Sequence, residues 1–146
     1  MEIFTREPTW YAAGLAFECI QCGRCCAGPQ EGYVWVSQGQ IRAIHEFLGL
    51  TESQMMEQYV RRVGARYSLR ERPGNNDCVF LADGPAGRRC DIYPVRPTQC
   101  RTWPFWSRNL ASPQAWSYTA MRCPGINHGK LFAFNQIETH RHATSE

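Results

Sequence analysis

The sequence predicts a small, loop-rich α+β domain in which two adjacent helices and a few short strands support cysteine-rich loops organised around metal. Three observations lead to this fold class: two helix-start signals in close succession, short β-branched and aromatic runs between turns, and eight cysteines concentrated in irregular stretches. The 146 residues suffice for one domain, over 1–146, that buries roughly two-thirds of its unfolded surface. Five Trp, six Tyr and seven Phe supply a core, so disulfides are not needed merely to fold the chain.

Residues 1–18 are predicted to form a leader that packs through apolar side chains, namely Trp10, Tyr11, Leu15 and Phe17. The leader has no basic cluster before an apolar run, and no part of the sequence reaches the roughly 18 apolar residues of a membrane helix. We therefore expect a cytoplasmic protein with reduced thiols and no membrane contact. The net charge of +3, with its basic residues dispersed, gives no strong nucleic-acid signal.

A short strand is predicted at "YVWVS" (33–37) from its β-branched and aromatic residues. Ser37 and Gln40 form a capping box, which opens a helix that ends at Gly49. The apolar residues of that helix are expected on one face: Ile41, Ile44, Phe47 and Leu48.

A second capping box, formed by Thr51 and Gln54, predicts a second helix directly after the first. Its apolar residues follow helical spacing as far as Gly64, which is expected to end it: Met55, Tyr59 and Val63.

The middle of the sequence alternates short strands with turns. "RYSLRE" (66–71) and "CVFLA" (78–82) predict strands, and "PGNND" (73–77) predicts the turn that separates them. The glycine-rich "DGPAGRR" (83–89) predicts another turn. Near the end, "KLFAFNQI" (130–137) predicts a short helix, followed by a frayed polar tail over 138–146.

The eight cysteines are the strongest functional signal, and four of them fall in "CIQCGRCC" (19–26). C-x2-C spacing lets two thiolates converge on one centre from a tight turn, and Gly23 provides the backbone freedom that such a turn needs. A disulfide framework is disfavoured by the expected compartment and by the adjacent Cys25–Cys26 pair. Burial as a small apolar residue is a serious alternative for Cys78, which lies beside Val79 and Phe80.

Spacing alone leaves the metal open between zinc and iron–sulfur. Eight thiolates would fill two closed zinc sites, whereas "CIQCGRC" matches the C-x2-C-x2-C run of bacterial ferredoxins. The C-x3-C-P continuation of ferredoxins is missing, and the Cys123–Pro124 dipeptide lies far downstream. Successive side chains point in different directions, so the adjacent Cys25 and Cys26 are expected to suit two neighbouring centres, or one ligand beside a packing thiol.

Three motifs in this order resemble the YkgJ-type cysteine-cluster family of zinc- or iron-chelating domains: "CIQCGRCC", "CVFL" (78–81) and "CDIYPVRPTQCRTWPF" (90–105). The resemblance extends over residues 17–125 and implies chelation without naming a reaction. By position, it implies that the cluster residues are Cys19, Cys22, Cys25, Cys26, Cys78, Cys90 and Cys100, with Cys123 as the late cysteine.

Residues 90–100 are expected to form a loop with one helical turn, made rigid by Pro94 and Pro97. Arg96 and Arg101 flank Cys100, and each is either a counter-charge for thiolates or an ordinary surface side chain. "WPFW" (103–106) is expected in the core or as a wall over the site. Among the histidines, His128 is an alternative ligand because it follows Cys123 closely.

Three functional classes remain open. The first is an iron–sulfur protein for electron transfer, redox sensing or cofactor delivery, which has an unknown protein or redox partner. The second is an interaction module stabilised by zinc. The third is a metalloenzyme, which would need an open metal position. No hydrolase elbow, phosphate-binding loop or dinucleotide fingerprint occurs in the sequence.

Overall fold

The computed structural model describes residues 9–20, 24, 32–84 and 87–144. Within these residues the fold mixes short antiparallel strands with helices, which confirms the α+β class. The elements, in chain order, are β1 (Leu15–Phe17), β2 (Trp35–Val36), α1 (Gln38–Leu48), α2 (Glu52–Tyr59), β3 (Val60–Val63), β4 (Arg66–Leu69), β5 (Leu81–Gly84), β6 (Gly87–Cys90), a 3-10 turn (Tyr93–Val95), α3 (Thr98–Thr102), α4 (Pro113–Arg122), β7 (Lys130–Phe132) and α5 (Phe134–Ala143). The strands form the antiparallel groups β1–β7, β2–β4–β3 and β5–β6.

Both predicted capping boxes are confirmed. The Ser37 hydroxyl accepts a hydrogen bond from the Gln40 amide, and the Gln40 side chain accepts one from the Ser37 amide, at 3.2 and 2.8 Å. Thr51 and Gln54 make the same reciprocal pair at 3.1 and 2.9 Å. The first helix ends as predicted at Gly49, whose φ of 71° lies in the left-handed region that favours glycine.

The prediction for the end of the second helix is wrong. Helix α2 stops at Tyr59, and Val60–Val63 forms β3, which pairs with β4 in a hairpin. Strand β3 turns Val60 into the core opposite Leu69, so burial and β-branching favour an extended backbone here over a continued helix. Gly64 lies in the hairpin turn, with φ 61°.

In α1, Phe47 is 49% exposed because it falls at the margin of the buried stripe.

The predicted strand at 66–71 is confirmed as β4, but the strand predicted at 78–82 begins later, at Leu81. Cys78 instead makes an isolated antiparallel bridge with Glu71, and the chain turns before β5. The segment predicted as a turn at 83–89 contributes the inner ends of the β5–β6 hairpin. A buried Phe80 in the turn accounts for the late start, since its side chain packs into the core.

The C-terminal third departs most from the sequence prediction. Helix α4 was not predicted, although Ser112 caps it and Pro113 occupies its first turn. The helix predicted at 130–137 is divided between β7 and α5, and α5 continues through residues expected to fray. Ile137 anchors α5 because its side chain is completely buried.

Two hydrophobic clusters form the interior. The first cluster contains Val36, Ile41, Ile44, Met55, Val60, Leu69, Cys78, Phe80 and Ile92. The second cluster contains Tyr11, Phe105, Leu110, Trp116, Cys123, Ile126 and Ile137. The packing predicted for the leader is confirmed, since Trp10, Leu15 and Phe17 also lie against the second cluster. No helix among the described residues is long and apolar enough to cross a membrane.

Candidate metal centre

The structure describes five of the eight predicted ligands; Cys22, Cys25 and Cys26 lie outside the described residues. Cys19 is exposed, Cys78 and Cys123 are buried, and Cys90 and Cys100 are half-buried. Within the described part of the chain, His, Cys, Asp and Glu side chains form no group of three that could hold a metal ion. The geometry around the C-x2-C-x2-CC motif is therefore defined by the contacts of its flanking residues.

The segment that enters the motif is held by the loop after Cys123. The Glu18 amide donates to the Gly125 carbonyl at 3.1 Å. A Cβ atom at Gly125 would lie 1.9 Å from the Glu18 carbonyl oxygen, and one at Gly129 would lie 2.4 Å from the Glu18 Cβ. Only glycine permits so close an approach. This fit places Cys19 beside the loop over 123–129.

Inside the motif, Arg24 is held by Arg122. The Nε and Nη2 groups of Arg122 both donate to the Arg24 carbonyl oxygen, at 3.1 and 2.8 Å. Arg122 is the last residue of α4 and directly precedes Cys123, while Arg24 lies in sequence between Cys22 and Cys25. Residues 98 apart in sequence are thus brought together at the motif.

The segment that leaves the motif is held at Gly32. Its amide donates to the Glu71 carboxylate at 2.6 Å, and its carbonyl accepts from Arg61 at 2.8 Å. Glu71 is the residue bridged to Cys78 in the strand pairing. Cys78 is therefore close to the position at which the chain returns from the motif.

A side-chain amide of α3 fixes the next residues. Gln99 donates to the Tyr33 carbonyl at 2.8 Å and accepts from the Trp35 amide at 3.0 Å. These two hydrogen bonds pair with the backbone as a neighbouring strand would, and they hold α3 against the start of β2. Gln99 directly precedes Cys100, and both residues lie in α3.

Cys90 lies near Cys78. In the β5–β6 hairpin Cys90 is paired opposite Leu81, and the Leu81 amide donates to the Cys78 carbonyl at 2.9 Å. Both cysteines pack with the first cluster. The sequence left burial as a small apolar residue open as an alternative for Cys78. The structure shows that Cys78 is buried in the first cluster.

A common pattern joins these contacts. Three of the side chains that hold the motif-bearing segment are adjacent or paired to a downstream cysteine: Glu71 to Cys78, Gln99 to Cys100 and Arg122 to Cys123. A set of soft thiolate donors suits zinc or an iron–sulfur cluster. The donor chemistry of the eight cysteines therefore suits either metal.

Of the charged and aromatic residues singled out by sequence, Arg96 and Phe105 have partners among the described residues. The Arg96 guanidinium lies over the Tyr93 ring at 3.7 Å and donates to the Tyr93 carbonyl at 2.9 Å. Arg101 and His128 are exposed. Phe105 is in the core as expected and stacks on Trp116, with ring centroids 5.8 Å apart.

Sequence reasoning missed Arg122 and the two glycines of the 123–129 loop. The available signal for Arg122 was its position directly before Cys123. For Gly125 and Gly129 it was the C-P-G-x3-G pattern of residues 123–129, in which closely spaced glycines indicate a close backbone approach. Neither signal names the distant partner, since Glu18 and Arg24 lie about a hundred residues away in sequence.

Comparison with known proteins identifies the family. Residues 18–124 match the CxxCxxCC family, described as "Putative zinc- or iron-chelating domain". The chain belongs to the CxxCxxCC family. Over 95 residues it is 30% identical to the uncharacterized protein MJ0661 of Methanocaldococcus jannaschii, covering 65% of this chain and 48% of that protein. The chain therefore spans about half the length of that curated relative, and no solved structure matches it.

As a member of this family the chain is a metal-binding protein with a cysteine-cluster motif. The family match starts at Glu18, which Gly125 holds, and ends just after Cys123. The matched range thus includes Arg24 and Arg122 and ends one residue before Gly125.

Proposed function

We propose that this CxxCxxCC protein holds an iron–sulfur centre that serves electron transfer, redox sensing or cofactor delivery. The proposed ligands are Cys19, Cys22, Cys25, Cys26, Cys78, Cys90, Cys100 and Cys123. The observation that carries the proposal is the placement of three anchors of the motif segment, each beside a different downstream cysteine. When bound, a cluster would supply reversible one-electron chemistry.

The surroundings of the proposed ligands support a redox centre. Cys78 packs in the first cluster and Cys123 in the second, so apolar side chains surround both thiols. A low local dielectric and limited access of water tune the potential of an iron–sulfur cluster. A reducing compartment, which we infer to be the cytoplasm, would keep the thiols available, and a protein partner would exchange electrons or the cofactor.

Zinc is the second candidate because the family description names zinc and iron together. Four thiolates close a tetrahedral zinc site, so the chain would then be an interaction module whose fold is stabilised by metal. This candidate predicts no redox activity and a colourless protein.

The deciding experiment is an ultraviolet–visible spectrum with assays for iron, zinc and sulfide on protein purified without oxygen. Broad absorbance at about 400 nm together with iron and sulfide supports the cluster. A colourless protein with about two zinc ions supports the zinc module. The absence of any metal from protein that is folded would contradict both candidates.

Ligand substitutions sharpen this experiment. Cys22→Ser and Cys100→Ser are each expected to lower bound metal and to destabilise the chain, because metal binding contributes to its folding free energy. His142→Ala serves as the control, since His142 is exposed on α5 and its only described ion-pair partner is Glu138. Unchanged metal content in either cysteine variant would remove that residue from the site.

A further inference from the structure

Arg122 occupies a rigid position at the end of α4. The Ser112 hydroxyl accepts from the Ala115 amide at 3.0 Å and caps the start of the helix. Trp116 and Thr119 bury the inner face of the helix, and the Thr119 hydroxyl donates to the Asn109 side chain at 3.1 Å. The backbone from which Arg122 extends is therefore fixed by the second cluster.

The contact with Arg24 requires a guanidinium. Two N–H groups on one edge of Arg122 converge on a single carbonyl oxygen. A lysine ammonium is a point charge whose donors rotate, and it cannot hold that oxygen from two fixed directions. The contact thus fixes both the distance and the orientation of the Arg24 peptide relative to α4.

The bonded carbonyl belongs to the residue between Cys22 and Cys25. Converging thiolates repel one another, and a cation bound to the backbone between them in sequence would lower the cost of bringing them together. Residues that orient metal ligands without touching the metal commonly change affinity by about tenfold to a hundredfold when replaced.

We propose that Arg122 is the positioning residue of the metal centre: it holds the Arg24 carbonyl, which lies in sequence between Cys22 and Cys25, at a fixed place relative to Cys123, and it offsets thiolate charge. This inference rests on the proposed metal site and adds a residue outside the cysteine set. Arg122 acts through the Arg24 carbonyl rather than by binding metal.

The test compares Arg122→Gln and Arg122→Lys with Arg88→Gln in the full chain. Arg88 is the matched control because it is exposed, lies two residues before Cys90 and forms an ion pair with Asp83 at 3.8 Å. Metal-free protein is titrated with Co²⁺, and its affinity and thiolate-to-cobalt absorption bands are measured. Those bands report the number and geometry of the thiolate ligands, which a purely structural role in folding would leave unchanged.

Arg122→Gln is expected to weaken Co²⁺ binding by at least about tenfold and to alter the bands. Arg122→Lys is expected to recover part of the affinity, because it keeps the charge, but not the wild-type spectrum. Arg88→Gln should match wild type in both measurements. If Arg122→Gln does not fold, Arg122→Lys decides the test.

Wild-type affinity and spectrum in the folded Arg122 variant would overturn this inference and leave the metal site intact. Failure of the wild-type chain itself to bind Co²⁺, Zn²⁺ or iron would overturn the proposed function and the inference together. The two failures are therefore distinguishable in one series of titrations.

Discussion

The two hydrophobic clusters are of similar size but are assembled over very different distances along the chain. The first cluster draws its buried members from Val36 to Ile92, whereas the second joins Tyr11 to Ile137. The difference shows that the first region depends on neighbouring helices and hairpins, while the second requires both ends of the described chain. The motif segment is held by residues from both regions, through Glu71 on one side and Arg122 on the other.

The largest expected effect comes from removing one buried thiol in each cluster, by Cys78→Ser and Cys123→Ser. If one assembly of thiolates links the two regions, each substitution should reduce bound metal and lower the thermal midpoint of the metal-loaded chain. In metal-free protein the cost should fall to about 1–3 kcal/mol, the cost of burying a hydroxyl. Metal analysis and thermal unfolding with and without metal would measure the difference. Equal losses of stability with and without metal would show that the substituted cysteine does not bind the metal.

A smaller effect is expected from Gly125→Ala, which acts on the second region alone. The added Cβ would lie 1.9 Å from the Glu18 carbonyl oxygen, so backbone must move and the entry to the motif must shift. We expect a loss of about 1–3 kcal/mol in the free energy of unfolding, together with weaker metal binding.

Gly39→Ala is the matched control for this glycine, because Gly39 lies within α1 of the first region. Its added Cβ would meet only the Ser37 hydroxyl, at 3.9 Å, so this substitution should stabilise the chain by about 0.5–1 kcal/mol. Denaturant unfolding would measure both variants. A Gly125→Ala protein as stable as wild type would show that the Glu18 contact is not required.

The smallest effect concerns the pH dependence of the hydrogen bonds that hold α5 against the leader. The Tyr11 hydroxyl donates to Glu138, and Arg141 donates to the same carboxylate at 2.6 and 2.9 Å. Burial, with the neighbouring carboxylate, raises the pKa of Tyr11 to about 12, and the Arg141 hydrogen bonds lower the pKa of Glu138. The Tyr11 contribution is therefore fully present below pH of about 10 and is lost as the pH rises through about 12.

The contribution of Glu138 has the opposite sign, being present above its ordinary pKa of 4.5 and lost as the pH falls through its lowered value. The urea midpoint of Tyr11→Phe should change less between pH 8 and pH 11.5 than the wild-type midpoint does. The exposed Tyr118→Phe serves as the control and should keep the wild-type profile. If Tyr11→Phe loses as much stability at pH 11.5 as the wild-type chain, groups other than Tyr11 cause the loss.

The contrast between the regions also explains which features could be read from sequence. Capping boxes at Ser37 and Thr51 are local signals, since donor and acceptor lie three residues apart, and both predicted helix starts are correct. The change from α2 to β3 depends on pairing with β4 and on burial of Val60, and helical spacing through Val63 concealed it.

The same reasoning applies to the candidate site. Its cysteine spacing is local and indicates the family, which the comparison confirms. The partners of Glu18 and Arg24 lie about a hundred residues away, at Gly125 and Arg122, and no short-range pattern specifies such pairs. Prediction of the α5 tail failed for the same reason, because Ile137 is buried against residues from the opposite end of the described chain.

The contact between Arg122 and Arg24 can form only late in the synthesis of the chain. Arg122 is added to the chain 98 residues after Arg24, which takes roughly 5–20 s at common rates of translation. Through that interval the thiols of "CIQCGRCC" have been synthesised, but the arginine and glycines that hold their segment have not. A nascent chain would therefore pass through a window in which these thiols are open to oxidation or to the wrong ion.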